Sequence, residues 1–173
     1  MKKTIGVFLT FFTCFLLIGI NYAGSDTDGT LTMKSFSLNT PRGWTVERQG
    51  EDQVVLRMAE SRSGDVSIVV AADAVSGPEA GDKAWRKLKS MAVYKNGLSM
   101  YEGEDRFSDE TWRKIIYGDE IRGLRFRCAA LFSRRGETQC LIQFSCPENR
   151  FEAMLPYFNA VKESFSFAPG TRT

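Results

Sequence analysis

Four cysteines, a scatter of carboxylates and no histidine set the limits on what chemistry this 173-residue chain can do. Without an imidazole the commonest general base is missing. A hydrolase would need a carboxylate, lysine or cysteine set at recognisable spacing, and none occurs. Cys128, Cys140 and Cys146 fall along one hairpin without the Cys-x-x-Cys spacing of zinc modules, and nothing beside them marks an electropositive, reactive thiol. They are expected to be buried thiols acting as small hydrophobes. Glu102, Glu104, Asp105, Asp109 and Glu110 lie close together but lack the fixed spacing and central glycine of an EF-hand. The expectation is a non-enzyme, with no catalytic residue, no metal site and no cofactor.

The elements that place these thiols lie in 122–167. This stretch predicts a strand (LRFRCAALF), a turn (SRRGE), a second strand (TQCLIQFSC) and an amphipathic helix (PENRFEAMLPYFNAVKESF). A three-residue loop, Arg134-Arg135-Gly136, with Gly136 left-handed, would set Ser133 opposite Glu137. On that register the even-numbered residues share one apolar face. Leu124, Phe126, Cys128, Ala130 and Phe132 stand there beside Cys140, Ile142, Phe144 and Cys146. No cysteine would face another directly, which disfavours a bridge. The odd face is mixed. Arg125, Arg127 and Gln143 on it, and Arg134 and Arg135 in the turn, are the candidate protein-docking surface. Phe151, Met154, Leu155, Phe158, Val161 and Phe165 recur at three- and four-residue steps, the stripe of a helix packed on a sheet. Pro156 falls inside it and predicts a kink or restart near Leu155.

Upstream, strands are predicted at 33–38, 44–48, 53–59, 66–74, 98–102 and 112–117, with turn chemistry or loops between them. The continuous apolar run Ile68-Val69-Val70 suits a central strand covered on both faces. An acidic loop is predicted at 103–110. Ser76, Pro78 and Glu79 announce a helix running to about Tyr94. It buries Ala84, Trp85, Leu88, Met91 and Ala92, and its outer flank carries Lys83, Arg86, Lys87 and Lys89. A charge run of this kind is ordinarily the solvated side of a helix.

The chain opens Met-Lys-Lys, then an uncharged run over 4–20, then Ala23, the pattern of a secretory signal peptide over 1–23. Cleavage near Ala23 places the protein in the bacterial periplasm or outside the cell; retention of the leader as an anchor is the alternative. Cys14 lies inside the apolar run without a lipidation lead-in. The leader takes two of the 23 Lys and Arg and none of the 21 Asp and Glu, leaving a mature chain with equal numbers of each. That balance argues against nucleic acid as a partner and leaves an uncleaved leader as the one expected tie to a membrane. A flexible segment at 24–32, a single α/β domain at 33–168 and a short tail at 169–173 complete the division.

At both ends the residues resemble the PsbP/Mog1 superfamily, including its bacterial secreted members. Phe36-Ser-Leu-Asn-Thr-Pro41-Arg-Gly-Trp44 resembles the family's opening, an aromatic strand followed by proline and tryptophan. Leu141-Ile-Gln-Phe144, a helix and Ser164-Phe165-Ser166-Phe167 resemble its close. The resemblance implies an α+β fold, an antiparallel sheet flanked by helices in an α/β/α sandwich. It also implies accessory work: members bind and adjust a larger partner, such as a photosystem or a small GTPase. The functional expectation is a periplasmic accessory protein that docks on or stabilises an unidentified envelope protein or complex. The alternative is a carrier holding a small apolar ligand between sheet and helix, lined by Trp85, Phe126 and Phe144.

Overall fold

In the computed structural model the described residues are 29–61, 65–77, 79–96, 99–121 and 123–169, the side chains of 93–96, 99 and 100 excepted. The predicted leader and the tail beyond 169 lie outside them. The chain forms β1 (Gly29–Thr32), β2 (Phe36–Thr40), β3 (Trp44–Arg48), β4 (Gln53–Met58), β5 (Ser67–Ala74), α1 (Ala80–Asn96), β6 (Ser99–Phe107), β7 (Glu110–Ile121), β8 (Leu124–Arg135) and β9 (Thr138–Pro147). A 3-10 turn (Glu148–Arg150), α2 (Phe151–Ser164) and β10 (Ser166–Phe167) follow.

Seven strands make one antiparallel sheet in the order β3-β4-β5-β9-β8-β7-β6. The predicted central strand, β5, is interior to it, between β4 and β9. Strands β6 to β9 form a meander, with two-residue turns at Ser108-Asp109 and Gly136-Glu137 and with Ile121 paired to Leu124 at the β7–β8 end. The acidic stretch 103–110 is therefore mostly strand rather than loop. Ser108 and Asp109 both take left-handed φ, +53° and +60°, as a tight hairpin turn of the primed kind demands. Short turns fix close pairing where longer loops were predicted.

The β8–β9 register corrects the sequence expectation. Gly136 is left-handed, at φ +58°, but it is the first of two turn residues, so Arg135 pairs with Thr138 and Phe126 with Pro147. The slip is an odd number of residues, and every side chain of β8 changes face relative to β9. Phe126, Cys128, Ala130 and Phe132 join Leu141 under α1, beside Trp85, Leu88 and Ala92. Ala129 and Leu131 join Cys140, Ile142, Phe144 and Cys146 under α2. Leu124, expected in the core, is 60% exposed at the tip of the β7–β8 hairpin.

Each helix thus covers one face, and two cores result. On the α2 face Phe144 stacks between Phe158 (centroids 5.1 Å apart) and Phe151 (5.6 Å). The same core is closed by a second, three-stranded sheet, β1-β2-β10, that sequence periodicity did not reveal. Its β1 comes from the stretch read as frayed, and Leu31 is buried there. Helix α2 runs unbroken through Pro156. The proline is exposed, so the carbonyl it leaves unbonded lies on the solvent side and no break is needed.

Candidate docking surface

The five side chains singled out as a docking surface are dispersed by the corrected register. Gln143 belongs to the α1 face and is buried; its Nε2 donates to Tyr117 Oη at 3.1 Å. Arg125 and Arg127 stand on the opposite face. Arg127 is held by Glu148 at 3.2 Å and Glu152 at 3.6 Å and lies over the Phe151 ring at 5.3 Å, clamping the start of α2. Arg134 donates to the carbonyls of Gly136 (2.6 Å) and Gly77 (2.8 Å), tying the turn to the entry of α1. Arg135 donates to Glu110 at 2.6 Å and covers Phe167 at 4.9 Å. Of the five, Arg125 alone is exposed. Three arginines that looked available from sequence are structural, because strand pairing brings carboxylates and carbonyls to them from 2 to 57 positions away.

Cys128, Cys140 and Cys146 are buried thiols on two different faces of the sheet. Cys128 Sγ donates to Ser145 Oγ at 3.4 Å. Burial pushes the Cys140 thiol well above its ordinary range, helped by the nearby carboxylates of Asp52 and Asp73. Cys146 is pushed up to about 12, again mainly by burial. Neither can supply thiolate near neutral pH. Among the described residues no group of three His, Cys, Asp or Glu is placed to hold a metal ion.

The lining proposed for an apolar ligand is also divided. Trp85 and Phe126 pack together under α1, whereas Phe144 is stacked beneath α2 on the other side of the sheet. The three do not surround one space.

A different set of cations stands unengaged. On α1, Asp82 is taken by Arg113 at 2.6 Å and Lys89 by Glu102 at 2.7 Å. The side chains of Lys83, Arg86 and Lys87 are exposed and, among the described residues, engage no hydrogen bond, ion pair or ring. They sit at i, i+3 and i+4, so they share one strip of the helix's outer face. From sequence they read as a solvated flank, and nothing there could tell which members of the flank are neutralised.

No protein-family model and no curated protein matches the sequence. Solved structures do match in fold. LpqN, involved in cell envelope biogenesis of Mycobacterium tuberculosis, superposes with a TM-score of 0.60 at 9% identity, over 86% of this chain and 87% of its own. Cyanobacterial PsbP (CyanoP) from Synechocystis sp. PCC 6803 gives 0.54 at 16% identity, over 88% and 99%. The Ran-binding protein Mog1p of Saccharomyces cerevisiae gives 0.54 at 10% identity, over 82% and 95%. The chain has the PsbP/Mog1-like fold. In a Bacteroides thetaiotaomicron structure matched at 0.58 and 14% identity, 83% of this chain is covered but only 50% of that one. At these identities it is the PsbP/Mog1-like architecture that is shared, the antiparallel sheet with helices on its faces.

Proposed function

We propose that this protein is a non-enzymatic accessory protein of the bacterial envelope that works by docking on a larger protein complex. The observation that carries the reading is the shared fold with Mog1p, a Ran-binding protein, and with LpqN, involved in cell envelope biogenesis. Three features support it. The chain lacks histidine, and Cys140 and Cys146 are buried with raised pKa values. Both faces of its sheet carry helix-covered apolar cores. Its opening residues follow a secretory pattern, which supports a periplasmic address. The carrier alternative is weakened by the separation of Phe144 from Trp85 and Phe126.

The test is affinity purification of the tagged, full-length protein from its native envelope at low and high salt, with quantitative mass spectrometry. A protein that co-purifies in fixed proportion at low salt is the expected result. Recovery of no partner at any salt concentration, or turnover of a substrate by the purified chain, overturns the proposal.

A further inference from the structure

Helix α1 carries five basic residues, Lys83, Arg86, Lys87, Lys89 and Lys95, against the single acid Asp82. A helix face that serves only solvent is stabilised by acid-to-base pairs at i, i+4, and like charges at that spacing work against it by a few tenths of a kcal/mol. Here the one acid is diverted sideways to Arg113 and Lys89 is paired with Glu102 on β6. Among the described side chains of the helix, what remains is an unneutralised strip of Lys83, Arg86 and Lys87, on a chain that balances in charge once the expected leader is removed. The strip is also rigidly mounted. On the opposite side of the same helix turns Trp85, Leu88 and Ala92 are buried against Ile115, Tyr117 and Phe132.

Resting on the accessory-protein reading, we infer that the Lys83–Arg86–Lys87 strip is the docking site for an acidic segment of the protein partner. Charge complementarity picks the occupant. An anionic lipid surface is the poorer match, because interfacial helices insert apolar side chains beside their cations. The apolar side of α1 is instead buried on the sheet at Trp85, Leu88 and Ala92, and among the described side chains the large exposed apolar residues, Tyr101, Leu124 and Tyr157, lie on other elements. A protein segment carrying two or three carboxylates needs no apolar insertion. Three exposed ion pairs give a weak, salt-sensitive contact that orients and accelerates docking.

The experiment places a photo-crosslinking residue at Ser90, exposed on the same helix, and as a control at Arg48, exposed on β3 at the opposite edge of the sheet. Each is carried in the full chain in its own envelope. The expected result is a protein adduct at position 90 and none at 48, with the linked partner peptide rich in Asp and Glu. The adduct should fall roughly tenfold in K83Q/R86Q/K87Q, and likewise between about 50 mM and about 500 mM NaCl. The triple variant should melt within about 2 °C of the parent, since exposed substitutions of this kind barely affect stability. A lipid adduct, a second copy of this chain, a partner peptide without acidic residues, an adduct unchanged in the triple variant, or no adduct at 90 overturns the assignment. If 90 fails while the affinity purification still recovers a partner, the accessory reading stands and only this surface falls. If both fail, both are wrong.

Discussion

Arg135 and Glu110 meet at 2.6 Å across the end of the sheet, each largely withdrawn from solvent, and join the β6–β7 turn to the end of β8. The same guanidinium donates to the Ser108 carbonyl at 3.1 Å and lies over Phe167 of the small sheet. Ser108 in turn donates through its hydroxyl to the Phe165 carbonyl. One arginine therefore fastens the meander to the C-terminal strand. Charge-assisted hydrogen bonds in partly dry surroundings contribute more than exposed pairs, so Arg135→Ala is expected to cost about 2 kcal/mol in urea unfolding. Arg125→Ala, at an exposed site on the same strand, should stay within about 0.5 kcal/mol. Equal effects would show that the Arg135 contacts do not persist in solution.

The β8–β9 register makes a paired prediction. Phe144 is fully buried between two aromatic rings of α2, and Phe144→Ala should cost about 3–5 kcal/mol by the usual sum of lost transfer energy and cavity. Leu124 is mostly exposed, and Leu124→Ser should change stability by less than about 0.5 kcal/mol. The register expected from sequence buries both residues on one face and predicts two large losses. Chemical denaturation of the two variants separates the alternatives.

The turn that decided that register also explains what was legible in the sequence and what was not. Strand β3, the position of β5, the inward face of α1 and the stripe of α2 follow from local periodicity, and each is where the pattern put it, except that Met91 of α1 is half-buried and outside the core. The β8–β9 turn could be read as two residues or three, since Gly136 satisfies a left-handed position in either. A one-residue ambiguity in a turn moves half of a hairpin to the other face. Strand β1 was missed for a related reason. Gly29-Thr30-Leu31-Thr32 has one apolar residue, and its stability comes from pairing with β2 rather than from its own composition. Which surface cations are left unpaired was least legible of all. Whether an arginine is free depends on carboxylates far away in sequence, and Arg127 and Arg135 are engaged by Glu148 and by Glu110, distant along the chain.

Asp109 occupies the second left-handed position of the β6–β7 turn and is exposed. A side chain there is strained where glycine is not. Asp109→Gly is expected to raise stability by about 0.5–1 kcal/mol without altering the pairing of Phe107 with Glu110. A loss of stability on thermal unfolding would mean that the turn relaxes to another type.

The thiols give a kinetic test. With Cys140 and Cys146 held protonated by burial, a thiol reagent at pH 8 should label neither in the native protein. Labelling of these two should follow the rate of opening, rising with sub-denaturing urea to the unfolded rate. Prompt labelling of Cys140 or Cys146 in native buffer would show that the α2 face is open to solvent.

Asp73 gives a pH dependence with a definite sign. It lies on β5, half-buried, and burial pushes its carboxyl above the ordinary value, with the charge of Asp52 adding to the effect. A carboxyl whose folded pKa exceeds its unfolded value holds its proton more tightly in the native state. Stability therefore falls as pH rises from the unfolded value through the folded one, and the penalty is complete above both. Asp73→Asn removes the charge and keeps the shape. It should leave stability unchanged near pH 3, where the parent side chain is already neutral, and raise it at pH 7. Urea midpoints of the two proteins from pH 3 to pH 7 measure the divergence, which should open upward with pH. A gap that is constant with pH would assign the effect to packing against Gln139, its cross-strand neighbour, rather than to charge.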